Sequence, residues 1–355
     1  MAHKELGQWS LADHFVTRRA RPKGLLERVN DLLDWKALAH LVDPLHAAPH
    51  GAPSYPPVVM LKVLLLGQWY GLSDPMTEDA VSDRVSFRQF CGLSLHDAVP
   101  DHSTIHRYRN LLGESGLDQA IFDEVNRQLD AMGLILREGT LIDASLIASA
   151  ARPPAKPKEE KPAEGASAPA EPEAAGPSPA AATPEQRSPA RPPSKLVRSK
   201  HDPDAAWTRK NGRYHFGYKF HVGVDKGSGL IRRVRFTAAS VNDTVEADNL
   251  ICGDEAAVYA DAAYHTHARE SRLKEQGIEP WLMRRGNKHH ALSEEERARN
   301  KAIGKKRGPV EQVFGRAKTV YDWARARCVG LARNRTHGLT MSTAMNLKRM
   351  VVLCG

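Results

Sequence analysis

Cysteine is scarce and scattered. The chain has four in 355 residues, Cys91, Cys252, Cys328 and Cys354, with no CxxC pair. That excludes a disulfide framework and a cysteine zinc site as organising devices. Long apolar runs are missing as well. The best, residues 58–69, is interrupted by Lys62 and is too short to span a bilayer. The first residues, MAHKELGQWSLADHF, lack the basic-then-apolar layout of a secretory leader. A cytoplasmic protein with no membrane partner is the expectation. A phosphate loop is absent too, because Gly304-Lys305 lacks both the upstream glycine and a following Ser or Thr. His265, His267, His289 and His290 have no Cys or carboxylate at familiar zinc spacing, and read as surface or DNA-contact residues.

Acidic residues are the minority, 42 against 51 Lys and Arg, for a net charge of +9. Such an excess favours a polyanionic partner, since Lys and Arg displace counterions condensed on a phosphate backbone. The excess is concentrated. Residues 284–349 hold 17 Lys or Arg against 5 Asp or Glu, an excess larger than that of the whole chain. Without a basic amphipathic helix flanked by aromatics, nucleic acid is a better partner than a membrane.

What is present divides into blocks. Residues 1–133 read as an all-helical domain. Pro56-Pro57 opens an apolar helix that ends near Gly71, and residues 77–90 read as a second helix. In PDHSTIHRYRNLLGESG, Ser103 is the expected N-cap, and Ile105, Tyr108, Leu111 and Leu112 form one stripe. His106, Arg107 and Arg109 lie off that stripe. They could belong to the recognition helix of a helix-turn-helix unit or to a solvated face. Residues 138–355 alternate strands and helices, the pattern of an α/β (α+β) mixed sheet covered by helices. The strands are expected at 140–147, 213–225, 230–237, 257–260 and 278–283, and the helices at 267–275, 293–302 and 308–323. This second block is interrupted at 151–198 by an insert that holds 12 of the 23 prolines and is expected to be disordered.

Three carboxylates stand in unusual places. Asp143 lies within the apolar strand GTLIDASLI, where a charge is costly unless paired, bound to a cation or turned outward at a sheet edge. Asp261 ends the run AAVYAD, a position suited to ligand chemistry at a strand end or to capping the next helix. Glu311 follows Gly308-Pro309-Val310 in a first helical turn, where the helix dipole alone would favour it. Arg307 lies four residues before it and Lys318 seven after. Three acids brought together repel by roughly 4 kcal/mol per pair at about 4 Å, and hard divalent cations relieve that.

With these stretches in view the chain resembles the DDE transposases of bacterial insertion sequences, most closely the insertion-sequence-five group. The likeness lies in YPPVVMLKVLLLGQWYGLSD, SFRQFCGL and PDHSTIHRYR, in GTLIDASLI, in GRYHFGYKFHVGVD with VYADAAY, and in RGPVEQVFGRAK. The last is the most specific, because Arg307, Glu311 and Lys318 keep the family spacing R-x3-E-x6-K. One departure is Gly304, where the related superfamily motif has Tyr. The resemblance implies an RNase H-like catalytic domain with Asp143, Asp261 and Glu311 as catalytic metal ligands. It implies Mg²⁺ as the working metal, with Mn²⁺ as a substitute, and Arg307 and Lys318 as phosphate contacts. Its substrates would be double-stranded DNA, namely the terminal inverted repeats and the target. Its active form would be a homodimer or larger assembly, nucleoid-associated when bound to DNA. Two rivals stay open: an RNase H-like nuclease that cuts without joining, and a non-catalytic DNA-binding regulator derived from such an element.

Overall fold

The structure, a computed structural model, describes residues 4–7, 22–46, 53–155, 199–210, 212–286 and 291–355. Most of the expected insert, from residue 156 on, lies outside the described residues, as do His289 and His290. The N-terminal block is helical: α1 (Leu25–Leu32), α2 (Trp35–Val42), α3 (Pro57–Tyr70), α4 (Asp74–Asp83), α5 (Val85–Cys91), α6 (His102–Ser115) and α7 (Leu117–Ala131). Pro57 opens α3, and Gly71 ends it with φ 65°, a conformation that costs glycine nothing. The helix is buried nearly all round, which is why its sequence is apolar on every face apart from Lys62 and Gln68.

Two local expectations are corrected. Residues 77–90 form two helices rather than one, because Arg84 is extended at φ −96°, ψ 108°. That break lets Phe87 and Phe90 turn into the core while the Arg84 guanidinium lies over the Phe87 ring, 5.0 Å from its centroid. The cap of α6 is Asp101 and not Ser103. Its Oδ1 accepts from the Thr104 N–H at 2.8 Å and from the Ser103 hydroxyl at 2.6 Å. A carboxylate at that end also meets the positive pole of the helix.

The second block is a six-stranded sheet of β1 (Thr140–Ala148), β2 (Ala206–Lys210), β3 (Arg213–Asp225), β4 (Ile231–Ala238), β5 (Ala257–Ala260) and β6 (Glu279–Leu282). β1 is central. It pairs antiparallel with β3 along its whole length, Asp143 opposite Val222, and parallel with β5 through Thr140–Val258 and Leu141–Tyr259. β6 extends the parallel side beyond β5, while β2 and β4 pair antiparallel with β3. Helices α8 (Asp243–Leu250) and α9 (His267–Glu275) supply the apolar cluster around Ile142, Val258, Tyr264 and Leu273. The Leu141–Tyr259 face of the sheet joins a much larger cluster with α11 (Gly308–Thr319), reached from α10 (Glu294–Lys306), and with α12 (Leu331–Leu353).

That larger cluster also contains the N-terminal helices, so the two blocks expected from sequence share one core. Helix α12 joins them. The Trp69 indole of α3 donates to Ala344 O at 2.8 Å, and Thr336 donates to the buried Asp118 of α7 at 2.8 Å. The Asn346 amide accepts from Ile231 N at 2.9 Å and donates to Ile231 O at 2.8 Å, holding β4. Among the described residues no helix is long and apolar enough to cross a membrane.

Trp323, fully buried, fills the space between sheet and helix. It stacks on Phe236 at 5.5 Å and meets Phe220 at 4.8 Å, and a Cβ added at Gly338 would come within 2.6 Å of its ring. Trp323→Ala is expected to cost about 3–5 kcal/mol, by loss of burial and creation of a cavity. Denaturant unfolding of the full chain measures it. A loss under about 1 kcal/mol would mean that this ring does not anchor the shared core.

Candidate active site

Asp143 lies on the central strand, not on a sheet edge, so its neighbours leave its carboxylate little water. Its side chain is 21% exposed and takes the Arg307 guanidinium at 2.7 Å. Arg307 stands at the junction of α10 and α11 and is itself buried, and its Nε has no hydrogen-bond partner among the described residues. Burial pushes the Asp143 carboxyl up to about 6. The Arg307 charge and the Ala144 N–H pull against that rise, and nearby Asp261 adds to it.

Asp261 comes to Asp143 through strand register. β1 and β5 run parallel, each aspartate follows the Leu141–Tyr259 pair by two residues, and the Asp261 charge is felt at Asp143. The capping role read for Asp261 is seen here, on a short 3-10 turn rather than on an α-helix. Asp261 ends β5, and its Oδ1 caps the short 3-10 turn Ala262–Tyr264 by accepting from Ala263 N at 2.9 Å. Its second oxygen takes no part in the cap.

Glu311 is placed by the same junction that places Arg307. Gly308 and Pro309 start α11, and Val310, Val313 and Ala317 form its buried face. Glu311 and Lys318 are therefore exposed, seven residues apart and near one helical line. The Glu311 carboxylate makes no hydrogen bond or ion pair among the described residues. The structure thus brings Asp143, Asp261 and Arg307 together and sets Glu311 one turn beyond Arg307. Asp143, Asp261 and Glu311 do not form a group with ligand atoms all within 4.8 Å of one another. Their chemistry nonetheless suits a hard dication, being oxygen donors only, one of them desolvated enough for its proton affinity to rise.

Several neighbours escaped the sequence reading. Asp243 opens α8 behind the Asn242 cap and pairs with Lys219 of β3 at 2.8 Å. With Asp261, Lys210 and Arg285 these two line a cleft of about 590 Å³. Tyr264 is buried, and its hydroxyl has no partner among the described residues. After burial, the charges of Asp243, Asp143 and Asp261 raise its pKa most, so the phenol lies next to the acids. A second cleft, of about 940 Å³, opens past Ser145 and is lined by Trp207, Lys210, Arg213, Tyr214, Lys318 and Arg325, with no Asp or Glu among its lining residues. Desolvation, then Lys210, lowers the Lys318 ammonium.

The helix left open as either a DNA reader or a solvated face, α6, is partly tied down. Arg109 is bound through both terminal nitrogens to Asp74 of α4 and is 19% exposed. His106 lies 4.0 Å from the same carboxylate and is half exposed, while Arg107 is exposed and reaches Thr104. The reading of His265 is corrected. It does have a carboxylate at ligand spacing, because the first turn of α9 returns Glu270 to its Nε2 at 3.0 Å.

Two family models match the chain. Residues 13–111 match a transposase domain (DUF772), and residues 184–347 match the transposase DDE domain. The second match includes Asp261, Arg307, Glu311 and Lys318 and begins after Asp143. No solved structure matches the chain.

The Asp143 carboxyl titrates near 6 in the folded protein and near 3.8 unfolded, so between those values the folded state binds more protons. Stability then falls as pH rises through that window, by up to about 3 kcal/mol from this group, and the loss is complete above pH 6. Asp143→Asn should remove that slope. Thermal unfolding of both proteins from pH 4 to 7 in chelator measures it, and parallel curves would mean that Asp143 titrates as an ordinary surface acid.

Proposed function

We propose that this chain, whose matched families are both transposase domains, is a DNA transposase. On this reading it cuts and rejoins double-stranded DNA at the terminal inverted repeats of an insertion sequence of the insertion-sequence-five group. The observation that carries the reading is the juxtaposition of Asp143 and Asp261 on neighbouring parallel strands, with Arg307 bonded to Asp143 at the start of the helix that bears Glu311. The strand order, three antiparallel strands followed by two parallel ones beside β1, supports an RNase H-like catalytic domain.

Asp143, Asp261 and Glu311 would hold Mg²⁺, or Mn²⁺ in its place. When bound, such ions supply a lowered pKa for the attacking hydroxyl and a counter-charge for the leaving oxygen. The chain's own residues position and neutralise. Asp143 is ionised at neutral pH and held by Arg307 in one orientation. Arg307 has donors beyond the one that Asp143 uses, and these can take a phosphate oxygen. Lys318 faces the basic, aromatic-lined cleft beside β1, where the strand next to the cut would run. The concentrated charge of residues 284–349 would follow the DNA backbone beyond it. His106 and Arg107 remain open to DNA on α6, whereas Arg109 reaches it only by leaving Asp74. Joining needs two ends held at once, so a homodimer or larger assembly on DNA belongs to the same reading. So does a cytoplasmic, nucleoid-associated location.

Asp143→Asn and Glu311→Gln should each lower cleavage of an inverted-repeat end by roughly 10²–10³-fold or more while a gel shift shows DNA binding retained. A pre-cut end offered to the wild type should give joined products. Cleavage without joining would make the protein a nuclease, and full cleavage by Glu311→Gln would remove that residue from the site.

A further inference from the structure

His265 and His267 flank Thr266, the N-cap of α9, and Glu270 follows in its first turn. Among the described residues, these three form one of the two groups whose ligand-type atoms all lie within 4.8 Å of one another. The other, Cys252, Asp254 and Glu255, is already committed. Glu255 accepts from three successive backbone N–H groups, and Asp254 takes two arginines. In the histidine group the two carboxylate oxygens of Glu270 have different partners. Oε1 takes Lys274 at 3.0 Å and Arg284 at 3.4 Å, while Oε2 faces His265 Nε2 at 3.0 Å. The two imidazoles meet edge to face with centroids 5.2 Å apart. Their donors and Oε2 therefore converge, while Oε1 is tied back from outside.

We propose that His265, His267 and Glu270 bind a transition-metal dication of the zinc type, at a site separate from the three-carboxylate centre. Two imidazoles and one carboxylate are a common donor set for zinc and a poor one for Mg²⁺, which demands oxygen. Tetrahedral zinc at about 2.0–2.1 Å from each donor sets them roughly 3.3 Å apart. Rotation of the exposed His267 side chain supplies that closure. Lys274 and Arg284 do for Glu270 what outer partners do for metal-bound carboxylates: they fix its plane and leave one oxygen for the ion. Their charges also make the affinity modest. Three protein ligands leave a fourth position for water or a phosphate oxygen. The ion would clamp residues 261–267, and so the turn that Asp261 caps, onto the start of α9. This inference does not depend on the transposase reading.

The test is a Co²⁺ titration of the full chain in excess Mg²⁺, followed by visible absorption and by displacement with Zn²⁺. One equivalent should bind with the intense band of a four-coordinate site. His267→Ala, which removes an exposed side chain and leaves the His265–Glu270 pair in place, should weaken binding at least tenfold. Asp143→Asn should leave it unchanged. An identical titration for His267→Ala would show that the cluster is an ordinary ion pair, and loss of the band in Asp143→Asn would assign the ion to the carboxylate centre. Either result overturns the proposal.

Discussion

The Arg307–Asp143 ion pair fixes where this site can be. A carboxylate midway along the central strand of a covered sheet cannot stay charged without a partner, and a buried guanidinium cannot either. Each group answers the other, and the bond pins the junction of α10 and α11 against β1. Once Arg307 is held there, helical geometry sets Glu311 one turn on and Lys318 two turns further along the same side. The pair is thus a fold contact that also sets the helix bearing Glu311 and Lys318 beside the strand bearing Asp143. Its cost is visible in the raised Asp143 carboxyl, which even a guanidinium at 2.7 Å does not return to the ordinary range.

A second constraint acts behind the first. Helix α12 carries Asn334, Thr336, His337, Ser342, Thr343 and Asn346 in its buried surface, and several of these hold groups outside the helix. Through them α12 grips α3, α7 and β4 together. A motion of the N-terminal helices on DNA would therefore reach the sheet through a polar interface of defined geometry, where slip breaks several hydrogen bonds at once. His337, fully buried on Trp323 and hydrogen-bonded to Gln68, belongs to that interface. Burial holds its imidazole down at about 3, so it is neutral there.

The parts legible in the sequence were those where one local signal dominates. The strands expected at 213–225 and 230–237 stand as β3 and β4, and a lone acid in an apolar run marked Asp143. The structure lost to sequence reading was set by tertiary context. Strand β2 is short and half polar, and nothing in AWTRK distinguishes it from a loop until β3 offers an edge. Helix α8 was hidden because DTVEADNL has little apolar periodicity of its own. Helix α12 is buried on every side, so the amphipathic pattern that betrays a surface helix is missing. The break at Arg84 followed from aromatic rings turning inward, and the Glu270 partner of His265 from a helix turn that a search for fixed ligand spacing does not anticipate. Of the candidate site, Asp143 stood out because a charge in apolar surroundings is conspicuous. The partners Asp243, Lys219 and Tyr264 did not, since each has an ordinary local role that hides its place among the acids.

We propose that Asp143, Asp261 and Glu311 meet around divalent cations when DNA is bound. Anomalous diffraction at the manganese edge, from crystals of the protein on an inverted-repeat end with Mn²⁺, tests it most directly. Two peaks between these three carboxylates, with Asp143 touching both, are the expected result. Manganese bound by Asp143 and Asp261 alone, with the Glu311 side chain still in solvent, would contradict it.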